Sequence, residues 1–126
     1  MATRSRIGIQ LADESVLSVY HHWDGYPEWL GRILTTHYNT RSKVAELIDG
    51  GDMSTCWNEE NQPEYYSARG ENCPPRHDAN KYDYLAEGEE YAYIFTKKGE
   101  WICYDRHEFG TQMPEIVEIP SGALAC

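Results

Sequence analysis

Two stretches of strict period-two alternation constrain this chain more than any other feature of it. Ile7, Ile9 and Leu11 alternate with Gly8 and Gln10, and after the polar run Ala12-Asp13-Glu14-Ser15 the pattern resumes through Leu17, Val19, His21 and Trp23. Later, Tyr91, Tyr93 and Phe95 alternate with Ala92 and Ile94, Lys97-Lys98-Gly99 supplies a turn, and Trp101 to Tyr104 returns. A strand sends successive side chains to opposite faces, so each stretch reads as a β-hairpin. In the first hairpin Val16, Ser18, Tyr20 and His22 then face away from Leu17 and Val19. The near-continuous apolar character of the second predicts central strands covered on both sides.

Helical spacing fills the region between them. Asp24-Gly25-Tyr26-Pro27 ends the strand, and Pro27 suits a helix start because its missing N–H would have no intrahelical partner there. Leu30, Ile33, Leu34 and His37 form one stripe through about residue 38, with Gly31 a weak spot. Asn39 or Thr40 can cap a second helix carrying Val44, Leu47 and Ile48, which ends at Gly50-Gly51. Residues 52–79 show no period and collect Asn, Gln, Pro, Gly and Glu, so they read as an irregular segment pinned by Trp57, Tyr65 and Tyr66. A short helix is expected near Asn80 to Glu87, and Glu115 to Ile119 suits either an edge strand or a tail. The fold class expected is α+β, a mostly antiparallel sheet built from two β-hairpins and packed against a short helical hairpin. The 126 residues suffice for one core and not two, so residues 1–126 read as a single domain with a loose C-terminal tail at 106–126.

Charge narrows the partners. The net charge is −10, and it is concentrated: residues 1–50 carry five basic against six acidic side chains, residues 51–126 six against fifteen. Nucleic-acid affinity comes mainly from Lys and Arg displacing counterions, so general DNA or RNA binding is disfavoured. No apolar run approaches the roughly 20 residues of a membrane-spanning helix, and no basic-then-apolar leader is visible, so no membrane association is expected. Cys56, Cys73, Cys103 and Cys126 are scattered without a CxxC pair, which reads as free thiols in a reducing compartment.

Chemistry is densest in Tyr20-His21-His22-Trp23-Asp24-Gly25-Tyr26-Pro27-Glu28, at a strand-to-helix junction. His22, Asp24 and Glu28 are residue types that ligate divalent metals, and His37 lies along the next stripe, but their spacing matches no established metal motif. A histidine beside a carboxylate also suits acid–base work, yet no nucleophile elbow, Cys/His signature, P-loop, GxGxxG or HExxH accompanies it. A ligand pocket is the third reading: Tyr20, Trp23 and Tyr26 stack on a planar base while Arg4 or Arg6 pairs with a phosphate. The alternative for both arginines is a pair of solvated charges at a strand end. The ligand- or partner-binding candidates are therefore Arg4, Arg6, Tyr20, His22, Trp23, Asp24, Tyr26 and Glu28, with no catalytic residue, metal or cofactor assigned.

Thr3-Arg4-Ser5, His22-Trp23-Asp24-Gly25-Tyr26-Pro27-Glu28 with Gly31, Lys43-Val44, Leu47-Ile48, Gly51-Asp52-Met53-Ser54 and the Tyr91-Ala92-Tyr93-Ile94-Phe95 hairpin with Gly99 and Trp101 resemble a family of small uncharacterised tailed-bacteriophage proteins. The resemblance covers most of residues 3–104. Family members commonly carry Cys at the position of His21 and a small residue at that of Trp29, and Thr55 to Ala79 follows no family pattern. No activity comes with the resemblance. What it implies is a phage accessory protein in the cytoplasm of the infected host cell, which binds and modulates or inhibits a host protein, such as a defence component, without catalysis. A binder that sequesters a small nucleotide-type defence signal is the alternative, and a metal-dependent hydrolase the third reading.

Overall fold

In the computed structural model, which describes residues 3–71, 73–86, 89–106 and 114–119, both expected hairpins are present and a parallel pairing joins them. Strand β1 (Ser5–Gln10) returns as the antiparallel β2 (Val16–His21), with Ile7 opposite Val19. The turn is fixed by the Asp13 carboxylate, which accepts from Ser15 N at 3.0 Å. The sheet grows on this pair through β3 (Met53–Thr55), β4 (Glu64–Tyr65) and β5 (Arg76–Asp78), and then through the second hairpin, β6 (Tyr91–Phe95) and β7 (Trp101–Asp105). An edge strand, β8 (Glu115–Val117), completes it, giving the order β4-β3-β2-β1-β6-β7-β8 with β5 also paired to β2. The β1–β6 pairing is parallel, Ile7 beside Tyr93, as is the contact of His21 with Met53 between β2 and β3; the other pairings are antiparallel.

The sheet is thus larger than two hairpins, and two expectations need correcting. Residues 52–79, expected to be irregular, contain β3, β4 and β5; strands of two or three residues are too short to show a period. β2 stops at His21 instead of running to Trp23, whose N–H turns away to bond Ser54 O at 3.0 Å. Within the expected tail, the edge-strand reading of Glu115 to Ile119 is the one that forms, residues 115–117 pairing with β7 and Ile116 lying opposite Tyr104. The remainder of that tail, at 107–113 and 120–126 and including Cys126, lies outside the described residues.

Both sheet faces are covered. Ile7, Ile9, Val19, Tyr93 and Phe95 pack against Leu30, Ile33, Leu34, Val44, Leu47 and Ile48. Those helical residues come from a π-helical turn (Pro27–Gly31), from α1 (Arg32–His37) and from α2 (Arg41–Asp49). Thr40 Oγ1 caps α2 by accepting from Lys43 N, and Gly51 leaves it with φ +88°, the left-handed region that glycine enters without strain. On the other face Val16, Ala92, Ile94 and Tyr104 pack against Tyr84 and Leu85 of α3 (Lys81–Ala86). Gly8 permits this second layer: a Cβ there would lie 2.9 Å from Val16 Cγ1 and 3.2 Å from Tyr84 Cζ. The Tyr84 ring fills that space, and its hydroxyl donates to Tyr93 O at 2.8 Å.

Candidate functional site

The end of β2 is held on three sides, and that fixes the corner beyond it. Gly25 N donates to Thr3 O at 2.8 Å, Tyr93 Oη donates to Gly25 O at 2.7 Å, and Trp23 N is tied to β3 through Ser54 O. A Cβ at Gly25 would meet Ser5 Oγ at 2.6 Å, so only glycine lets the turn lie this close over β1. Asp24, immediately before it, takes φ +53°, an uncommon conformation for a residue with a Cβ.

Opposite this turn, the segment after β3 is clamped through the backbone of Cys56. His21 Nε2 accepts from Cys56 N at 3.0 Å, and Tyr38 Oη donates to Cys56 O at 2.8 Å. The clamp carries Trp57 onto His37, where the two rings stack at 4.0 Å and 13°. Asn58 then closes a turn, its side-chain oxygen accepting from Glu60 N and Gln62 N at 2.8 and 3.0 Å. Its amide group donates to Glu64 Oε2 at 3.0 Å.

Between these two walls lies an open cavity of about 380 Å³, lined by Trp23, Trp29 and Trp57, by Asp24, Glu59, Glu60 and Glu64, and by Thr55 and Asn58. Among the described residues no Lys or Arg side chain lines it. Trp23 remains 48% exposed at its mouth, a costly position for the largest apolar side chain. Compared with known proteins, the chain matches no family model, no curated protein and no solved structure.

Of the residues expected to form a site, the structure brings Trp23 and Asp24 to this cavity. Tyr20 and His22 adjoin it: Tyr20 Oη lies 2.6 Å from His22 Nδ1, and the His22 ring meets Trp23 edge-on at 4.6 Å. Tyr20 in turn stacks on Tyr66. Tyr26 caps the π-helical turn, and Glu28 is exposed in its first turn, its charge acting on Tyr91, Tyr93 and Cys103 of the second hairpin. Arg4 is exposed near Tyr20. Arg6 contradicts the reading of a solvated charge, being only 9% exposed on the α3 face of the sheet. Its Nε donates to Ser18 Oγ at 3.0 Å and its Nη2 to Ser18 O at 3.1 Å. That commits much of its hydrogen-bonding fork inside the fold.

The titratable groups displaced furthest from their ordinary behaviour sit in the core. Burial, with a smaller contribution from His22, holds the His21 imidazole down at about 3, so the ring is neutral. Burial likewise pushes the Cys56 thiol far up and the Cys103 thiol up to about 12, which leaves both as poor nucleophiles. Among the described residues no three His, Cys, Asp or Glu side chains gather closely enough to hold a metal ion. Trp29, Trp57, Glu59, Glu60 and Glu64 are not among the site residues expected from sequence, although Trp57-Asn58-Glu59-Glu60, an indole followed by two acids, is an available signal.

Proposed function

We propose that this chain is a binding protein without catalytic activity, and that it docks a host protein at the corner formed by Trp23, Trp29 and Trp57. The single observation that carries the reading is the convergence of three indoles on one solvent-open cavity. Large aromatic side chains left accessible in a concave, rigidly braced position are the usual anchors of protein recognition. The phage-accessory setting rests on the motif resemblance, and modulation of a host protein is the activity that this setting and the docking corner support together.

Nucleotide sequestration is the weaker alternative. It needs an arginine beside the aromatic groups: Arg4 is exposed near Tyr20, but Arg6 is engaged by Ser18 and the cavity walls are acidic, which repels a phosphate. A metal-dependent hydrolase finds no support among the described side chains.

The test compares wild type with Trp23→Ala, immobilised and exposed to lysate of the host. Trp23 is half out of the fold, so its truncation leaves the core intact. The expected outcome is a partner retained by wild type and lost, at least tenfold, by the variant. A partner retained equally by both sinks the docking corner. A rise in melting temperature with a nucleotide, and none with the captured protein, would move the assignment to the alternative.

A further inference from the structure

Resting on that docking reading, we propose that the cavity takes an arginine side chain from a basic segment of the partner protein. The walls specify this occupant in two ways. Trp23, Trp29 and Trp57 line the cavity, and an indole attracts a cation to its negative face more strongly than the other aromatic side chains do. Asp24, Glu59, Glu60 and Glu64 line the same cavity with carboxylates, and among the described residues no lining Lys or Arg neutralises them. A guanidinium satisfies both at once, since its plane stacks on an indole while its fork of N–H donors meets a carboxylate edge.

The carboxylates are also placed in advance. Glu64 Oε2 accepts from Asn58, which orients the carboxylate and leaves further lone pairs for a ligand. Glu59 and Glu60 stand exposed on the turn that Asn58 ties at Glu60 N and Gln62 N. A volume of about 380 Å³ is too large for a lone ion and accommodates one long side chain with part of its backbone. At longer range, the excess of fifteen acidic over six basic side chains in residues 51–126 steers a basic segment towards this wall and turns an acidic one away.

The experiment follows the four tryptophan indole N–H resonances of the intact, isotope-labelled protein during titration with acetyl-Ala-Ala-Arg-Ala-Ala-amide. The same peptide with citrulline in place of arginine is the neutral isostere, and one with glutamate is the opposite charge. Trp101 is the internal reference, because it lies outside the cavity with its Nε1–H donated to Tyr38 O at 2.8 Å. The arginine peptide should shift the Trp23, Trp29 and Trp57 resonances saturably and leave Trp101 in place. Citrulline should bind at least tenfold more weakly, glutamate not at all, and Glu60→Gln should weaken arginine binding several-fold. Equal binding of arginine and citrulline overturns the inference while leaving the docking corner standing. Failure of every peptide to move the three resonances also overturns it, whatever the capture experiment on Trp23→Ala returns.

Discussion

His21 shows how one side chain ties the candidate site to the stability of the fold. It is fully buried opposite Ser5 on β1, and because Nε2 accepts from Cys56 N–H, the ring proton resides on Nδ1. Protonating Nε2 would break that bond and place a charge where burial disfavours it. The unfolded chain takes up this proton near pH 6.5, whereas the folded one resists until about pH 3. Between those limits the unfolded state binds more protons, so acidification favours unfolding; above pH 6.5 the group has no effect. The largest slope a single such group gives is about 1.4 kcal/mol per pH unit. Urea unfolding at pH 7, 6 and 5 should show stability declining through this window. His21→Gln, whose amide oxygen can accept from the same N–H, should flatten the decline between pH 6.5 and 5. An unchanged slope in that variant would show that the decline originates elsewhere.

Among the elements, those long enough to repeat a period were legible in the sequence and those made by tertiary contact were not. β1, β2, β6 and β7 each run five or six residues with one face on a core, so alternation announces them. Leu30, Ile33 and Leu34 likewise mark the helical face that packs on the sheet. The strands β3, β4 and β5 exist because Met53, Tyr65 and His77 find partners on an existing edge, and no local pattern records that. The site divides the same way: Trp23 and Asp24 follow from a turn motif, but Trp57 reaches them only through the grip of His21 and Tyr38 on Cys56. The burial of Arg6 has no local signal either, because a strand-end charge is usually solvated, whereas here Ser18 and the α3 layer enclose it. Gly8 belongs to this lesson, since it looks like a weak point in a strand and proves to be the seat of the Tyr84 ring. Gly8→Ala should therefore destabilise the protein by about 1–3 kcal/mol, the usual range for overpacking. Tyr84→Phe, which removes the hydroxyl donating to Tyr93 O, should cost about 1 kcal/mol. Denaturant midpoints at constant slope measure both, and a neutral Gly8→Ala would mean that the α3 layer does not press on β1.

At the scale of the whole molecule, one pairing and one charge imbalance set the behaviour. The parallel β1–β6 contact puts the two hairpins into a single sheet whose central strands serve both cores, so neither hairpin can leave without exposing Tyr93 and Phe95. Unfolding should accordingly be a single transition, with secondary structure and aromatic packing lost together. The net charge of −10 works against that compact state, because the carboxylates are held closer together in it than in the extended chain. Described ion pairs offset little of this: Arg76 with Asp78 at 2.9 Å joins neighbours on one short strand, and Lys97 with Glu14 at 3.8 Å lies between exposed side chains. Added salt shortens the reach of repulsion to roughly 10 Å at 0.1 M and less beyond, so the melting temperature should rise between about 0.02 and about 0.3 M sodium chloride. The same ions screen the attraction between the acidic cavity and a basic ligand, so affinity for the arginine peptide should fall over the same range. Stability and binding are thereby expected to move in opposite directions along one salt titration. A melting temperature that drops with salt would mean that favourable charge pairs outweigh the repulsion. An affinity indifferent to salt would mean that the indoles, and not the carboxylates, hold the ligand.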